Sequence, residues 1–339
     1  GSRIDFVDGK SGTKLGKDAG LNTGTGTENT YIGYVAGQGG SGNDMYNTGI
    51  GSFALYAITD GDSNVAVGVD VGTALTTGDD NMLIGRQAGN TMTGTSKTIL
   101  IGRNAGTAIN HTDADGTVAI GYQALAANTS GERNVAIGYQ ALKTETVGDA
   151  SVAIGYQALQ TQNTSDGVTG NIGIGYYAGQ AITTGNKNII VGSYAGDALT
   201  TASGSTFLGH GAGGSATTAN DNIAIGRGAM YGGTTTGDNN IAIGVSTLDA
   251  TTSGYNNIGI GLDALGGLTT GHHNTAVGYQ AMSTGTITDS SGNYNTALGY
   301  RAMKAVTTGF SNTAIGAMAM GEYTVTGQYN VAVGYQANK

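Results

Sequence analysis

The chain has 339 residues, of which 63 are glycine, and it contains no proline, cysteine or tryptophan. Collagen is excluded, because its triple helix needs glycine at every third position together with abundant proline. The formal net charge of −9 argues against a general affinity for nucleic acid, since an acidic protein repels phosphates. No apolar run is long enough to cross a bilayer, so the sequence predicts no membrane insertion in this segment.

Residues 1–14 form a lead-in, and its first two residues, Gly1 and Ser2, look like an expression scar rather than part of a signal peptide. Residues 15–339 then repeat one motif without interruption. Residues 134–142, with the sequence Asn-Val-Ala-Ile-Gly-Tyr-Gln-Ala-Leu, are an example of it. We interpret residues 15–339 as one continuous repeat array.

The central glycine of the motif, called here the repeat glycine, occurs nineteen times, most often at intervals of 17 residues. Some intervals are longer and none is shorter, which indicates a coil of fixed circumference with extra residues looped out. This pattern predicts an all-β fold without helices, a parallel β-solenoid of about nineteen coils with roughly 17 residues each. The repeat glycines include Gly33, Gly68, Gly138, Gly192, Gly278 and Gly334.

The strand before each repeat glycine alternates between two kinds of residue. Val118 and Ile120 represent the larger apolar set, and Ala119 lies between them. Because side chains alternate across a strand, the two sets occupy opposite faces. We predict that the large residues point into the coil and the small ones outward, where they would let a neighbouring subunit pack closely. A narrow lumen lined by the small residues, or simply tolerance of alanine, is the alternative.

Asparagine occupies the fourth position before the repeat glycine in fourteen of eighteen full coils, and Asn134 is an example. Stacked in register, these residues are expected to form an amide ladder that satisfies backbone groups at a corner. A second glycine, seven residues before the repeat glycine, marks the other tight turn. Insertions are predicted near residues 110–116, 160–170 and 283–293.

The motif resembles the head repeats of trimeric autotransporter adhesins of the YadA type. Residues 274–282 and 330–337 are even more similar to the repeats of phage tail fibres and related surface fibres. The resemblance covers residues 15–339 and implies a left-handed β-roll, assembled as a homotrimer, that reaches a host surface. The adhesin head repeat is shorter than this one, so its coil geometry cannot be carried over unchanged. The chain stops inside a repeat, so we expect a fragment or a processed product.

Carboxylates and histidines are the candidates for metal binding. Paired carboxylates in turns could hold Ca²⁺, but their spacing lacks the periodic pattern of Ca²⁺-binding β-rolls, so we favour a role in turn formation. One histidine repeated around a trimer axis could also bind a metal, although solvent exposure is the simpler expectation. We therefore predict no cofactor and no metal, with Ca²⁺ as the alternative. The residues concerned are Asp60, Asp62, Asp79, Asp80, Asp113, Asp115, Asp238, Asp289, His111, His210, His272 and His273.

Tyrosine follows the repeat glycine in eight coils, and four of these residues, Tyr122, Tyr139, Tyr156 and Tyr176, belong to consecutive coils. We favour a structural aromatic ladder. The functional alternative is a platform that contacts the sugar rings of a surface glycan. Arginine takes the same position in other coils, as at Arg103, so the position must reach solvent at least in part.

These features together favour a structural and adhesive fibre segment rather than an enzyme, because no recurring Ser, His and Asp set marks a nucleophile. The expected partners are two further copies of the chain and a cell-surface glycan or protein receptor. The expected location is extracellular or on a virion surface. A polysaccharide-degrading spike and an ice-binding solenoid are the alternatives.

Overall fold

The structure is a computed structural model that describes residues 4–6, 12–165, 167–284, 294–321 and 323–338. It confirms the predicted fold class. The chain is all-β, and it forms a parallel β-solenoid of about 18 turns with about 17 residues per turn. Nineteen repeat glycines bound eighteen complete turns, which accounts for the difference from the predicted coil number. Contacts divide the chain into two compact units, residues 1–170 and residues 171–339.

In the first unit, each core strand has three residues and ends immediately before a repeat glycine. A lead-in strand, β1, pairs antiparallel with the first of them. The strands of this unit are β1 (Ile4–Phe6), β2 (Thr13–Leu15), β3 (Thr30–Ile32), β4 (Thr48–Ile50), β5 (Val65–Val67), β6 (Met82–Ile84), β7 (Ile99–Ile101), β8 (Val118–Ile120), β9 (Val135–Ile137), β10 (Gly148–Asp149), β11 (Val152–Ile154) and β12 (Gly167–Val168).

The second unit follows the same plan, and every strand assigned in it is a core strand. These are β13 (Ile172–Ile174), β14 (Ile189–Val191), β15 (Thr206–Leu208), β16 (Ile223–Ile225), β17 (Ile241–Ile243), β18 (Ile258–Ile260), β19 (Thr275–Val277), β20 (Thr296–Leu298), β21 (Thr313–Ile315) and β22 (Val331–Val333).

Successive core strands within each unit pair in parallel and in strict register. Ala119 of β8 lies opposite Ala136 of β9, which in turn lies opposite Ala153 of β11. Equivalent positions of the repeat therefore stack directly on one another. A feature that the sequence repeats every turn becomes a row along the unit.

The predicted insertions correspond to local departures from this plan. Residues 110–116 contain a 3-10 helix, Thr112–Ala114, so the prediction that no helix is needed was wrong for this one turn. Within residues 160–170, β12 pairs in parallel with β10 of the preceding turn. Most of the third insertion, residues 285–293, lies outside the described residues.

The asparagine ladder is confirmed, and it is buried. In the first unit, the amide nitrogen of Asn134 donates to the Gly148 carbonyl at 2.7 Å, and its side-chain oxygen accepts from the backbone N–H of Ser151 at 2.9 Å. Asn257 repeats both bonds in the second unit with Gly271 and Asn274, at 2.9 and 3.0 Å. Each asparagine thus satisfies backbone groups of the next turn that would otherwise be buried without partners.

The predicted orientation of the strand faces was wrong. Ala136 is fully buried, whereas Val135 and Ile137 on either side of it are half-buried. The same pattern holds for β8, β11, β16 and β17, so the small residues line the interior and the large β-branched residues face outward. The alternative, a narrow lumen lined by the small residues, is correct. Because these residues are interior, they cannot form the contact between subunits that was predicted for them.

The interior is narrow because a residue from the next corner also fills it. Where the middle strand residue is Ala136, the fourth residue after the repeat glycine is Leu142, and both are fully buried. Where the middle residue is Phe207, the corresponding corner residue is Gly213, and a Cβ atom added there would lie 2.5 Å from the Phe207 ring. Leucine or methionine at the corner thus accompanies alanine in the strand in several turns, and glycine accompanies a large strand residue.

Because the strand residue and the corner residue share one interior space, a destabilising enlargement of the first should be compensated by a reduction of the second. Enlarging Ala136 in the Ala136→Leu variant should overfill the lumen and cost about 1–3 kcal/mol of unfolding free energy, because packed interiors do not absorb extra methylenes. Adding Leu142→Gly should recover most of that loss, since Leu142 has a left-handed φ of 48° that glycine adopts freely. Urea unfolding of both variants checks this. A double variant less stable than Ala136→Leu alone would contradict it.

Candidate interaction surface

The outward residues of the core strands, the first and third residues of each, form a largely apolar face on each unit, called here the apolar face; threonine takes the first position in seven strands. These residues retain part of their exposure, for example 41 % at Met82 in the first unit and 44 % at Ile189 in the second. In the first unit, six consecutive members of this face are Val118, Ile120, Val135, Ile137, Val152 and Ile154. In the second unit, Ile223, Ile225, Ile241, Ile243, Ile258 and Ile260 form an equivalent block. Contiguous, partly exposed aliphatic rows of this kind are typical of interaction sites on soluble proteins.

The predicted tyrosine ladder is present in the first unit. The rings of Tyr122 and Tyr139 stack with centroids 5.2 Å apart and an interplanar angle of 16°. Tyr139 and Tyr156 stack at 5.0 Å and 6°. Because the ring faces cover one another, the row presents ring edges to the outside. This geometry supports the structural interpretation of these three residues, since a sugar ring packs against an aromatic face rather than an edge.

Tyr176, the fourth predicted residue, belongs to the second unit and is arranged differently. Its ring makes edge contacts with Tyr177 at 4.3 Å and with Tyr194 at 5.3 Å. His210 continues this cluster, with its ring 6.1 Å from that of Tyr194. The four predicted glycan-contact residues therefore do not share one geometry.

Side-chain amides run beside the tyrosine stack. The amide nitrogen of Gln140 donates to the Gln123 side-chain oxygen at 2.8 Å, and Gln157 donates to Gln140 over the same distance. At one end of the stack, the Arg103 guanidinium lies 6.0 Å from the centroid of the Tyr122 ring. This surface combines an aromatic row, an amide row and a cation. The aromatic row and the arginine were apparent from the sequence, whereas the amide row was not.

The remaining histidines also engage aromatic rings or nearby backbone. The ring of His272 stacks on Tyr255 with centroids 4.6 Å apart, and His273 stacks on Tyr294 at 4.9 Å. Partial burial and the neighbouring His273 hold the pKa of His272 below its usual value. His111 caps the 3-10 helix, where its ring nitrogen accepts from the Asp113 backbone N–H at 3.2 Å. No group of three or more residues suited to hold a metal occurs among the residues that the structure describes.

The turn carboxylates mostly serve the backbone, as predicted. The Asp62 side chain accepts from the backbone N–H of Met45 at 2.7 Å, and Asp79 accepts from the N–H of Asp62 at 2.8 Å. Asp115 and Asp238 make the same kind of bond from one turn to the preceding one. Asp289 lies outside the described residues.

A buried polar cluster in the first unit was not predicted. Glu145 is fully buried at a position where other turns place Leu75 or Ile109. Its carboxylate accepts from the side chain of Gln162 at 2.8 Å and from the backbone N–H of Gly148 at 2.9 Å. The available signal was a run of three polar residues, Asn128, Glu145 and Gln162, at a repeat position that is apolar in many other turns. Since its oxygens are occupied by these donors, the cluster is a structural substitute for an apolar core layer.

The comparisons with known proteins supply no family. No protein-family model matches the chain, and a search of curated protein sequences finds no similar protein. Within the described ranges, no helix has the length and apolar character that crossing a bilayer requires.

Proposed function

We propose that the chain is a structural and adhesive fibre segment of the tail-fibre or surface-adhesin type. In this proposal it assembles as a homotrimer and mediates attachment at a cell surface. The observation that carries the proposal is the apolar face, whose Ile and Val rows remain half-exposed on both units although each unit has a core of its own. Covering one half-exposed isoleucine contributes on the order of 1 kcal/mol, and many such residues repeat in register.

The proposal includes a non-catalytic role outside the cell or on a virion, with two further copies and a surface glycan or protein as partners. The turn carboxylates described above accept backbone hydrogen bonds, which supports a scaffolding role for them rather than acid–base chemistry. The resemblance to fibre and adhesin repeats supports the same assignment, and multivalent display would strengthen individually weak contacts.

The ice-binding alternative receives less support. Thr76 donates its hydroxyl to the Thr93 carbonyl at 3.0 Å, and Thr200 does the same toward Thr217 at 3.1 Å. These hydroxyls are engaged with the chain's own backbone, so they are not free donors for an ordered water layer. Thermal hysteresis in dilute solution would favour this alternative over the fibre.

Sedimentation equilibrium tests the assembly. The wild-type chain is expected to sediment at three times its 33.7 kDa mass. Placing charges on the apolar face with Ile137→Lys and Ile154→Lys should yield monomers, because desolvating a lysine costs more than the contact returns. Ala126→Lys is the matched control, since the next turn already carries Lys143 at that position. A wild-type chain that stays monomeric at micromolar concentrations would contradict the proposal.

A binding assay tests the attachment role separately. The intact oligomer is expected to bind a subset of immobilised surface glycans or whole cells, and the monomeric double-lysine variant should bind far more weakly because it lacks multivalency. An oligomer that binds neither glycans nor any cell surface would contradict the adhesive role and leave only a structural one.

A further inference from the structure

Two arginines stand side by side on the surface of the first unit. Arg86 and Arg103 each follow a repeat glycine, at the position that tyrosine occupies in the next three turns of the first unit. Their turns are adjacent, because β6 pairs directly with β7. Consecutive parallel strands lie about 4.8 Å apart, so the bases of these two side chains are separated by about that distance. Both residues are exposed.

Neither arginine forms an ion pair with any residue that the structure describes. Two like charges on neighbouring turns repel each other, and no carboxylate among the described residues lies within ion-pair distance to neutralise them. An anion bound between the two guanidinium groups would offset that repulsion.

We propose that Arg86 and Arg103 bind the carboxylate groups of an acidic polysaccharide. A guanidinium group presents a planar fork of donors that matches a carboxylate. Beyond Arg103, the row continues into the ring edges of Tyr122 and Tyr139. Beside these rings, the side-chain amides of Gln123 and Gln140 offer hydrogen bonds to sugar hydroxyls. The inference rests on the proposed attachment function and names the class of ligand for it.

The charge distribution favours a polymer with sparse charges. Two cations match one or two carboxylates, whereas duplex DNA carries a charge about every 1.7 Å along its axis. The net charge of −9 would repel so dense a polyanion. An anionic membrane is also disfavoured, because surface attraction to lipid headgroups needs clusters of about four to eight basic residues.

The test uses polygalacturonic acid and its fully methyl-esterified form, two polymers that differ in carboxylate charge. The wild-type chain should bind the acid form and not the ester, with an affinity that falls as salt rises. The double variant Arg86→Gln and Arg103→Gln should bind the acid at least about tenfold more weakly, since two charge-assisted hydrogen-bonding groups are lost. Arg227→Gln is the matched control, because Arg227 occupies the same repeat position but its neighbours are His210 and Val245.

Equal binding of both polymers, or an equal loss in the Arg227→Gln control, would overturn the assignment. Failure of this inference is distinguishable from failure of the proposed function. If the wild-type chain binds cells or neutral glycans but not the acid polymer, only the acidic-ligand assignment is wrong. Unchanged melting temperatures and sedimentation of the variants ensure that a loss of binding is not a loss of folding or assembly.

Discussion

Replacing Gly138 with alanine is expected to destabilise the first unit by about 3–5 kcal/mol, the largest effect anticipated for any single substitution discussed for this chain. A Cβ atom at this position would lie 2.2 Å from the carbonyl oxygen of Gly155 in the next turn. The backbone adds to the cost, because the φ of Gly138 is +139°, a region that L-residues rarely adopt. The adjacent backbone cannot move away without disturbing the pairing with the turns on either side. Denaturant unfolding, followed by circular dichroism, measures the loss.

Gly334→Ala separates the two contributions. Gly334 occupies the same repeat position with a φ of +123°, but no atom lies within 4 Å of the added Cβ. This variant should lose only the backbone contribution, about 1–2 kcal/mol. Equal losses in the two variants would show that contact between successive turns is not what restricts the position to glycine.

Removing one member of the asparagine ladder is expected to have the second large effect on the free energy of unfolding. Asn257→Ala leaves the Gly271 carbonyl and the Asn274 backbone N–H buried without their partners. Each unsatisfied group costs about 1–3 kcal/mol, so the variant should lose about 2–5 kcal/mol of unfolding free energy. Hydrogen exchange should show the loss concentrated in the neighbouring turns, since each turn contacts only the turns beside it.

The chain itself suggests a graded control for this experiment. Thr98 takes the ladder position in the first unit, where its hydroxyl donates to the Asn81 side-chain oxygen at 2.8 Å. Asn257→Thr should therefore be less damaging than Asn257→Ala. Asn256→Gly, at the exposed neighbouring position with a left-handed φ of 56°, should be nearly neutral. An Asn257→Ala variant as stable as Asn256→Gly would show that the ladder contributes little.

The period and the ladder were predictable because both are recorded directly in residue spacing. Asn134 and Ser151, for example, are 17 positions apart and hold equivalent places in adjacent turns. Spacing alone determines which residues stack, provided that the strands pair in parallel and in register. The same reasoning indicated that Tyr122, Tyr139 and Tyr156 would form an aromatic row.

The direction in which each strand face points could not be read from alternation. Alternation separates Ala136 from Val135 and Ile137 but does not say which set faces inward. The usual expectation that large apolar residues are interior failed because Leu142, from the adjoining corner, already occupies the lumen. A comparison of residue volumes at the strand and the corner would have revealed this, since leucine or methionine at one place accompanies alanine at the other.

The corrected orientation changes the physical basis of the proposed assembly. Small outward residues would have favoured close contact between backbones, whereas the outward rows of Val135 and Ile137 favour burial of aliphatic side chains. Such a contact depends on the hydrophobic effect, so it should tolerate exchanges among Val, Ile and Leu and resist charges. The position of Arg86 and Arg103 near this face, two residues after Ile84 and Ile101, places the proposed glycan site along its border.

Cysteine labelling tests the orientation of the coil most directly, because the chain contains no cysteine of its own. Three single variants, Val135→Cys, Ala136→Cys and Ile137→Cys, place a thiol at successive positions of one strand. Cys at position 136 is expected to react only on unfolding, at every protein concentration. Cys at positions 135 and 137 should react in dilute solution and become protected as the chains assemble. A thiol at position 136 that reacts readily in the folded chain, with positions 135 and 137 protected in the monomer, would contradict the account.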